Sequence, residues 1–379
     1  MKKFSRFIIL SLLSFLPCAS ILKAQSVEFN GQAAIWSTVS NSGSTYIQTG
    51  VRFVPQLKFD VPVNKKYKLD GELSADGMAQ YTHESSAGAT SDGLLRLYRA
   101  WIRFTADRFE LRAGLQKINF GSANILRPLM WFDRVDPRDP LKLTPGVISI
   151  AGKYYFRSNA NIWLWTLIGN DKTKGWESVP SNPSRPEFGS RIQLPFPKGE
   201  LAFTFHNREA EFTDVTVLPQ DRYFNENRYG FDTKIDLGPG IWLEGTVTQR
   251  SSPLMPDFEK AFTIGVDYTI GLGQGLNLMA ENMYISTSEK LASSDNNINL
   301  SGLSLSLPLS IITRINAIVF YDWKGKGLYT FGNLSFTYNN FVINVIAFDN
   351  PNNFSIMNFT TGKNIFAGYG GQVMVVYNF

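Results

Sequence analysis

The 379-residue chain has one cysteine, Cys18, and two histidines, His83 and His206. So few sulfur and imidazole groups leave little material for a metal site, a thiolate nucleophile or a histidine-based triad. No Gly-x-Ser-x-Gly elbow and no His-x-x-x-His pair occurs. The glycine-rich "GLGQG" at 271–275 precedes no helical pattern, so it reads as a turn and not as a phosphate cradle. The chain also lacks an apolar run of about 18 residues and shows almost no 3.6-residue periodicity, which excludes a transmembrane helix and a helical bundle. Catalysis, a cofactor and a metal are therefore not expected.

The N-terminus carries a different signal. Lys2, Lys3 and Arg6 precede the apolar run Phe7–Leu16, and small residues with "LKAQ" follow. That order reads as a secretory signal peptide over 1–24, cleaved after Ala24. Cys18 follows Pro17, which argues against a lipoprotein, and it leaves with the leader. Removing four of the 37 basic residues and none of the 32 acidic ones lowers the net charge from +5 to +1. The basic balance thus belongs mostly to the leader and gives no reason to expect a nucleic-acid partner.

What the rest of the chain has is alternation. Ile47, Val51, Phe53, Leu57 and Phe59 fall on one parity, and Gln48, Arg52, Gln56 and Lys58 on the other. The same pattern recurs in segments of about ten residues, enough for about 18 strands, with 16 as the alternative. Strands are expected at 94–105, 109–119, 200–207 and 228–237 among others. Short connections such as "PVNKK", "TADR" and "LGPG" alternate with long ones near 40–45, 82–93, 120–147, 170–186 and 208–227. In hydrocarbon every backbone polar group needs a partner within the protein, and a sheet provides that only by closing on itself. Alternation in every strand, with turns on one rim and loops on the other, predicts an all-β, single transmembrane antiparallel up-and-down barrel over 25–379. Tyr46, Tyr67, Tyr81, Trp323 and Tyr377 near strand ends suit interfacial girdles. Trp101 and Trp242 lie on the polar parity.

The last strand, "GGQVMVVYNF", ends on Phe379. With the leader and the alternation, it resembles Gram-negative outer-membrane porins. The stretch "LRAGLQKINFGSANILRP" from Leu111 to Pro128 is similar to phosphate-selective and alginate-export-type porins. The resemblance implies an outer-membrane location, contact with outer-membrane lipid and lipopolysaccharide, and reading of Phe379 by the barrel-assembly machinery. It also implies that the third long connection folds inward.

That connection, 120–147, breaks the alternation with four prolines, and its "LMWF" is costly to expose. A barrel of this size leaves an aqueous interior, and a loop stiffened by proline could narrow it. Ile125, Leu126, Leu129, Met130, Trp131 and Phe132 are the candidate anchors. Arg127, Asp133, Arg134, Asp136, Arg138 and Asp139 would form its polar edge beside the passage. Parity places Arg52, Arg99, Arg103 and Arg112 on one side of the inner wall and Asp232, Glu244, Asp267 and Glu281 on strands further round. If segregated, these charges would set up a transverse field; if paired, they would only line the wall.

Two functions remain. The first is a porin-type channel for passive diffusion of small polar or charged solutes. The second is a non-conducting barrel acting as an adhesin, a partner-binding or a structural protein through loops such as "GNDKTKGWESVPSNPSRPE". The first strand starts at about Val27, which leaves no room for the plug of a gated transporter. A homo-oligomer is open, since its interface would look like lipid-facing surface.

Overall fold

The computed structural model describes residues 26–214, 216, 218–352 and 366–379. The expected leader lies outside the described residues. Eighteen strands run in order: β1 (Ser26–Asn41), β2 (Thr45–Pro62), β3 (Lys68–Glu84), β4 (Gly88–Thr105), β5 (Phe109–Gln116), β6 (Val147–Tyr155), β7 (Asn161–Leu167), β8 (Glu187–Phe196) and β9 (Gly199–Glu211). The second half holds β10 (Tyr223–Asp236), β11 (Gly240–Arg250), β12 (Phe258–Ile270), β13 (Leu276–Ser288), β14 (Asn296–Pro308), β15 (Thr313–Asp322), β16 (Gly327–Tyr338), β17 (Phe341–Asn350) and β18 (Gly368–Asn378). A 3-10 turn, Pro219–Asp221, sits between β9 and β10.

Each strand pairs antiparallel with its sequence neighbours, and β1 pairs with β18 from Gln32↔Asn378 to Asn41↔Tyr369. The sheet is therefore closed, with no free edge. Phe379 finishes the seam: its N–H donates to the Gly31 carbonyl at 3.1 Å and its ring stacks on Phe53.

Closure sorts the side chains by parity. Ile35, Val51, Leu73, Leu95, Phe203, Phe262 and Val373 are exposed on the outer face. Thr38, Asp76, His206, Arg208, Glu226, Glu244 and Glu281 are buried on the inner face. Such an inversion, apolar outside and charged inside, is the reverse of a water-soluble core. A bulge at Ser74/Ala75 shifts the register between β3 and β4, and Arg52 and Arg96 converge on Asp76 from the two neighbouring strands.

Several expected boundaries change. The connection expected at 82–93 is largely strand, with only residues 85–87 between β3 and β4, and the one expected at 208–227 shortens to 212–222 between β9 and β10. β5 stops at Gln116, earlier than 119. The wall is consequently uneven. β3 and β4 have 17 and 18 residues, whereas β5, β6 and β7 have 8, 9 and 7.

Candidate functional site

Where β5 ends, the chain leaves the sheet for 117–146 before β6 begins. Prolines 128, 137, 140 and 145 remove N–H donors and fix backbone dihedrals there, so a ladder cannot form. The free N–H groups find carboxylates instead. Glu244 on β11 accepts from Ala123 N at 2.9 Å and Leu129 N at 2.6 Å. Glu281 on β13 accepts from Asn124 N at 2.7 Å, Ile125 N at 2.9 Å and Leu126 N at 2.5 Å, and also from Trp242 Nε1 at 3.0 Å. Thr263 Oγ1 donates to the Leu126 carbonyl, and Ser122 Oγ to Asp232. Gly121, at φ 102°, leaves room for Glu244: a Cβ there would overlap its carboxylate.

Apolar side chains of this segment divide among separate parts of the inner wall. Ile125 and Leu126 pack with Met283, Leu300, Ile318, Phe320 and Tyr329 from β13–β16. Leu129, Trp131 and Phe132 pack with Phe120, Trp165 and Leu167 near β7. Leu141 packs against the cluster of Ala34, Trp36, Met374 and Val376 on β1 and β18. Of the residues expected on the polar edge, Arg127 and Asp133 are buried and ion-paired at 3.0 Å, and Asp133 also accepts from Asn119. Arg138 closes onto Asp136 at 2.7 Å. Asp139 accepts from Leu141 N at 2.9 Å, and burial pushes its carboxyl up. Trp131 is an anchor, edge-on to Phe120 and Phe132.

A second segment, 168–186, docks on the first and was not expected to. Trp176 Nε1 donates to the Arg127 carbonyl at 2.8 Å, and Arg134 Nε to the Gly175 carbonyl at 3.1 Å. Gly175 has φ 45°, and a Cβ there would overlap the Met130 carbonyl. Lys174 and Glu177 join a buried ion network: Lys174 with Glu187, and Glu177 with Arg208 and Arg228. Glu226 accepts from Arg208, Arg228 and Arg250. Trp176 and Val179 amid polar neighbours were the available hint that this stretch has something to bury.

The wall residues predicted from parity are on the inner face. Arg103 pairs with Asp70 at 2.8 Å and Arg112 with Glu110 at 3.3 Å, both near the Trp101 ring. Arg99 donates to the Tyr98 and Thr144 carbonyls. Lys153 lies over Trp163 at 3.5 Å and has no acidic partner within salt-bridge distance among the described residues. On the far side Asp232 is taken up by Arg191 at 2.6 Å, Asp267 accepts from Gly240 N, and Glu244 serves the backbone. Of these wall cations, Arg99 on β4 and Lys153 on β6 are the two without an acidic partner within salt-bridge distance among the described residues.

His206 is fully buried. It bonds Glu187 at 3.0 Å and Trp165 at 3.3 Å, and neither partner is a hydroxyl or thiol. Among the described residues no group of three or more histidine, cysteine or acidic side chains could hold a metal ion.

Solved structures share this architecture. OmpT, an outer membrane protein of Vibrio cholerae in trimer form, matches with TM-score 0.55 at 10% identity, over 93% of this chain and 99% of its own. OccK7 of Pseudomonas aeruginosa matches with TM-score 0.55 at 8% identity, over 94% and 99%. An anion-selective porin from Comamonas acidovorans matches with TM-score 0.50 at 11% identity, over 93% and 99%. No family model matches the chain, and no curated protein matches it by sequence. At such identities the likeness is one of fold: a closed, antiparallel, porin-type barrel.

Proposed function

We propose that the protein is an outer-membrane, porin-type channel of a Gram-negative bacterium, for passive diffusion of small polar or charged solutes. In this reading 117–146 folds into the lumen and narrows it. The single observation that carries the reading is the bonding of five consecutive or near-consecutive backbone N–H groups of that segment to Glu244 and Glu281 on the opposite wall. A loop lying over the mouth would not need acids on the inner face of β11 and β13. The exposed apolar outer face supports burial in outer-membrane lipid, with lipopolysaccharide at the distal rim. The leader supports export, and the terminal Phe379 supports handling by the barrel-assembly machinery.

Planar-bilayer recording tests the proposal directly. Discrete conductance steps from the purified barrel, and swelling of liposomes in small sugars or amino acids, are the expected result. The extensive filling of the interior favours one second reading, a non-conducting barrel that works through its rim. Silence in both assays at confirmed insertion would select it.

A further inference from the structure

A cavity of about 160 Å³ lies between the two docked segments and the inner faces of β10–β13. That is several times the space one water needs. Indole rings of Trp131 and Trp176 border it, and Met283 and Ile285 supply an apolar floor. Thr246, Thr248, Arg250 and Glu259 line the opposite side. Thr246 and Thr248 are only 9% and 6% exposed, and their hydroxyls make no hydrogen bond to any described residue. Arg250 spends Nε on Glu226 and Nη2 on Glu259, which leaves Nη1 without a partner among the described residues. These polar atoms face the cavity with hydrogen-bonding capacity that no described residue takes up, and a ligand or water can use it.

The charges decide what that ligand is. Lys174, Arg208, Arg228 and Arg250 are matched by Glu177, Glu187, Glu226 and Glu259 in one connected network. Four cations against four anions leave no net charge for an ionic solute to neutralise, and an ion entering would have to break an existing pair. The Thr246 and Thr248 hydroxyls and Arg250 Nη1, beside Trp131 and Trp176, suit a neutral ring with hydroxyls on its edge and C–H groups on its faces. We infer that this cavity is a binding subsite for a neutral, hydroxyl-rich solute of monosaccharide size. The inference deepens the channel reading by naming a cargo class and rests on that reading for how the solute arrives.

The test is saturation-transfer NMR titration of D-glucose against the detergent-solubilised barrel, with glycine and inorganic phosphate as charged comparators. The Thr246→Val/Thr248→Val variant keeps side-chain shape and removes both hydroxyls; circular dichroism and heat-modifiable gel mobility confirm that it folds. Saturable glucose binding, weakened about tenfold or more in the variant, is the expected result. Equal binding by variant and wild type, or no glucose binding by the wild type, overturns the subsite. Preferential binding of phosphate or glycine also overturns it, by contradicting the neutral assignment. Bilayer recording of the wild type runs in parallel: conductance without glucose binding sinks the subsite and leaves the channel, and glucose binding without conductance sinks the channel and leaves the subsite.

Discussion

Glu244 and Glu281 show how much one residue decides here. Each is an acid on the inner wall that the alternation pattern already placed inward. What parity could not supply was the partner, because the bonded N–H groups lie 115 to 157 residues away in the chain. A hydrogen bond to a charged group contributes about 1.5–3 kcal/mol, and leaving buried donors unpaired costs more than the bond is worth. Glu281→Ala strands three backbone donors and an indole N–H at once. It should destabilise the docked segment by about 3–5 kcal/mol, the scale for breaking a buried charge interaction. Single-channel current should then become larger and noisier, and an unchanged trace would refute the latch. Asp139 makes the opposite case. Its folded carboxyl titrates above its ordinary range, so its neutral form is the one the fold prefers. Its contribution is fully present below the unfolded pKa of about 3.9 and is lost as pH rises through the folded value. Asp139→Asn, which keeps an acceptor for Leu141 N, should raise the melting temperature at pH 7. That gain should vanish below about pH 3.9, where the native residue is neutral too; calorimetry at the two pH values checks the sign.

Elements explain which parts of the fold were readable. A strand announces itself when one parity is apolar, and that requires an apolar environment on its outer side. The ends of β3, β4, β9 and β10 carry His83, Ala89, Ser91, Gly93, Asn207, Glu209, Asn225 and Asn227 on the outward parity. They rise beyond the apolar band, where both faces meet water, so the sequence there looks like loop although the ladder continues. A strand needs roughly 9–11 residues to cross a bilayer, and β3 and β4 exceed that by a wide margin. The hairpin tip at 85–87 should therefore stand clear of the membrane. An epitope inserted between Ser86 and Ala87 should be detected by antibody on intact cells, whereas one between Lys65 and Lys66, at the opposite rim, should be detected only after permeabilisation. Reversed or equal labelling would overturn the orientation. The 168–186 connection failed to declare itself for a different reason. Its docking depends on Gly175 approaching the Met130 carbonyl, a close approach with no periodic signature. Gly175→Val should displace this segment alone, leaving the β-sheet circular dichroism intact while opening Arg134 and Trp176 to solvent. A blue-shifted tryptophan emission unchanged from the wild type would contradict the docking.

At the scale of the whole molecule, charge on the inner wall is neither evenly mixed nor cleanly divided into opposing halves. The acids expected to form the negative side are engaged: Asp232 by Arg191, Glu244 and Glu281 by backbone N–H groups. Cations on β4–β6 are only partly matched, since Arg103 and Arg112 share Asp70 and Glu110 while Lys153 rests on a tryptophan ring. A field that arises from surplus on one side, and not from two opposed ladders, attracts anions toward β4–β6 instead of merely orienting dipoles. Replacing Arg103, Arg112 and Lys153 by alanine leaves Asp70 and Glu110 unopposed and inverts that surplus. Arg99 is best kept, because its guanidinium also holds the Thr144 carbonyl and so the docked segment. In a salt gradient across a planar bilayer, the triple variant should shift the chloride-to-potassium permeability ratio toward potassium by roughly twofold or more. The shift should shrink between about 0.1 M and 1 M salt, as the screening length falls from about 10 Å to about 3 Å. A ratio that stays put at low salt would mean the passage runs elsewhere in the barrel, away from the β4–β6 wall.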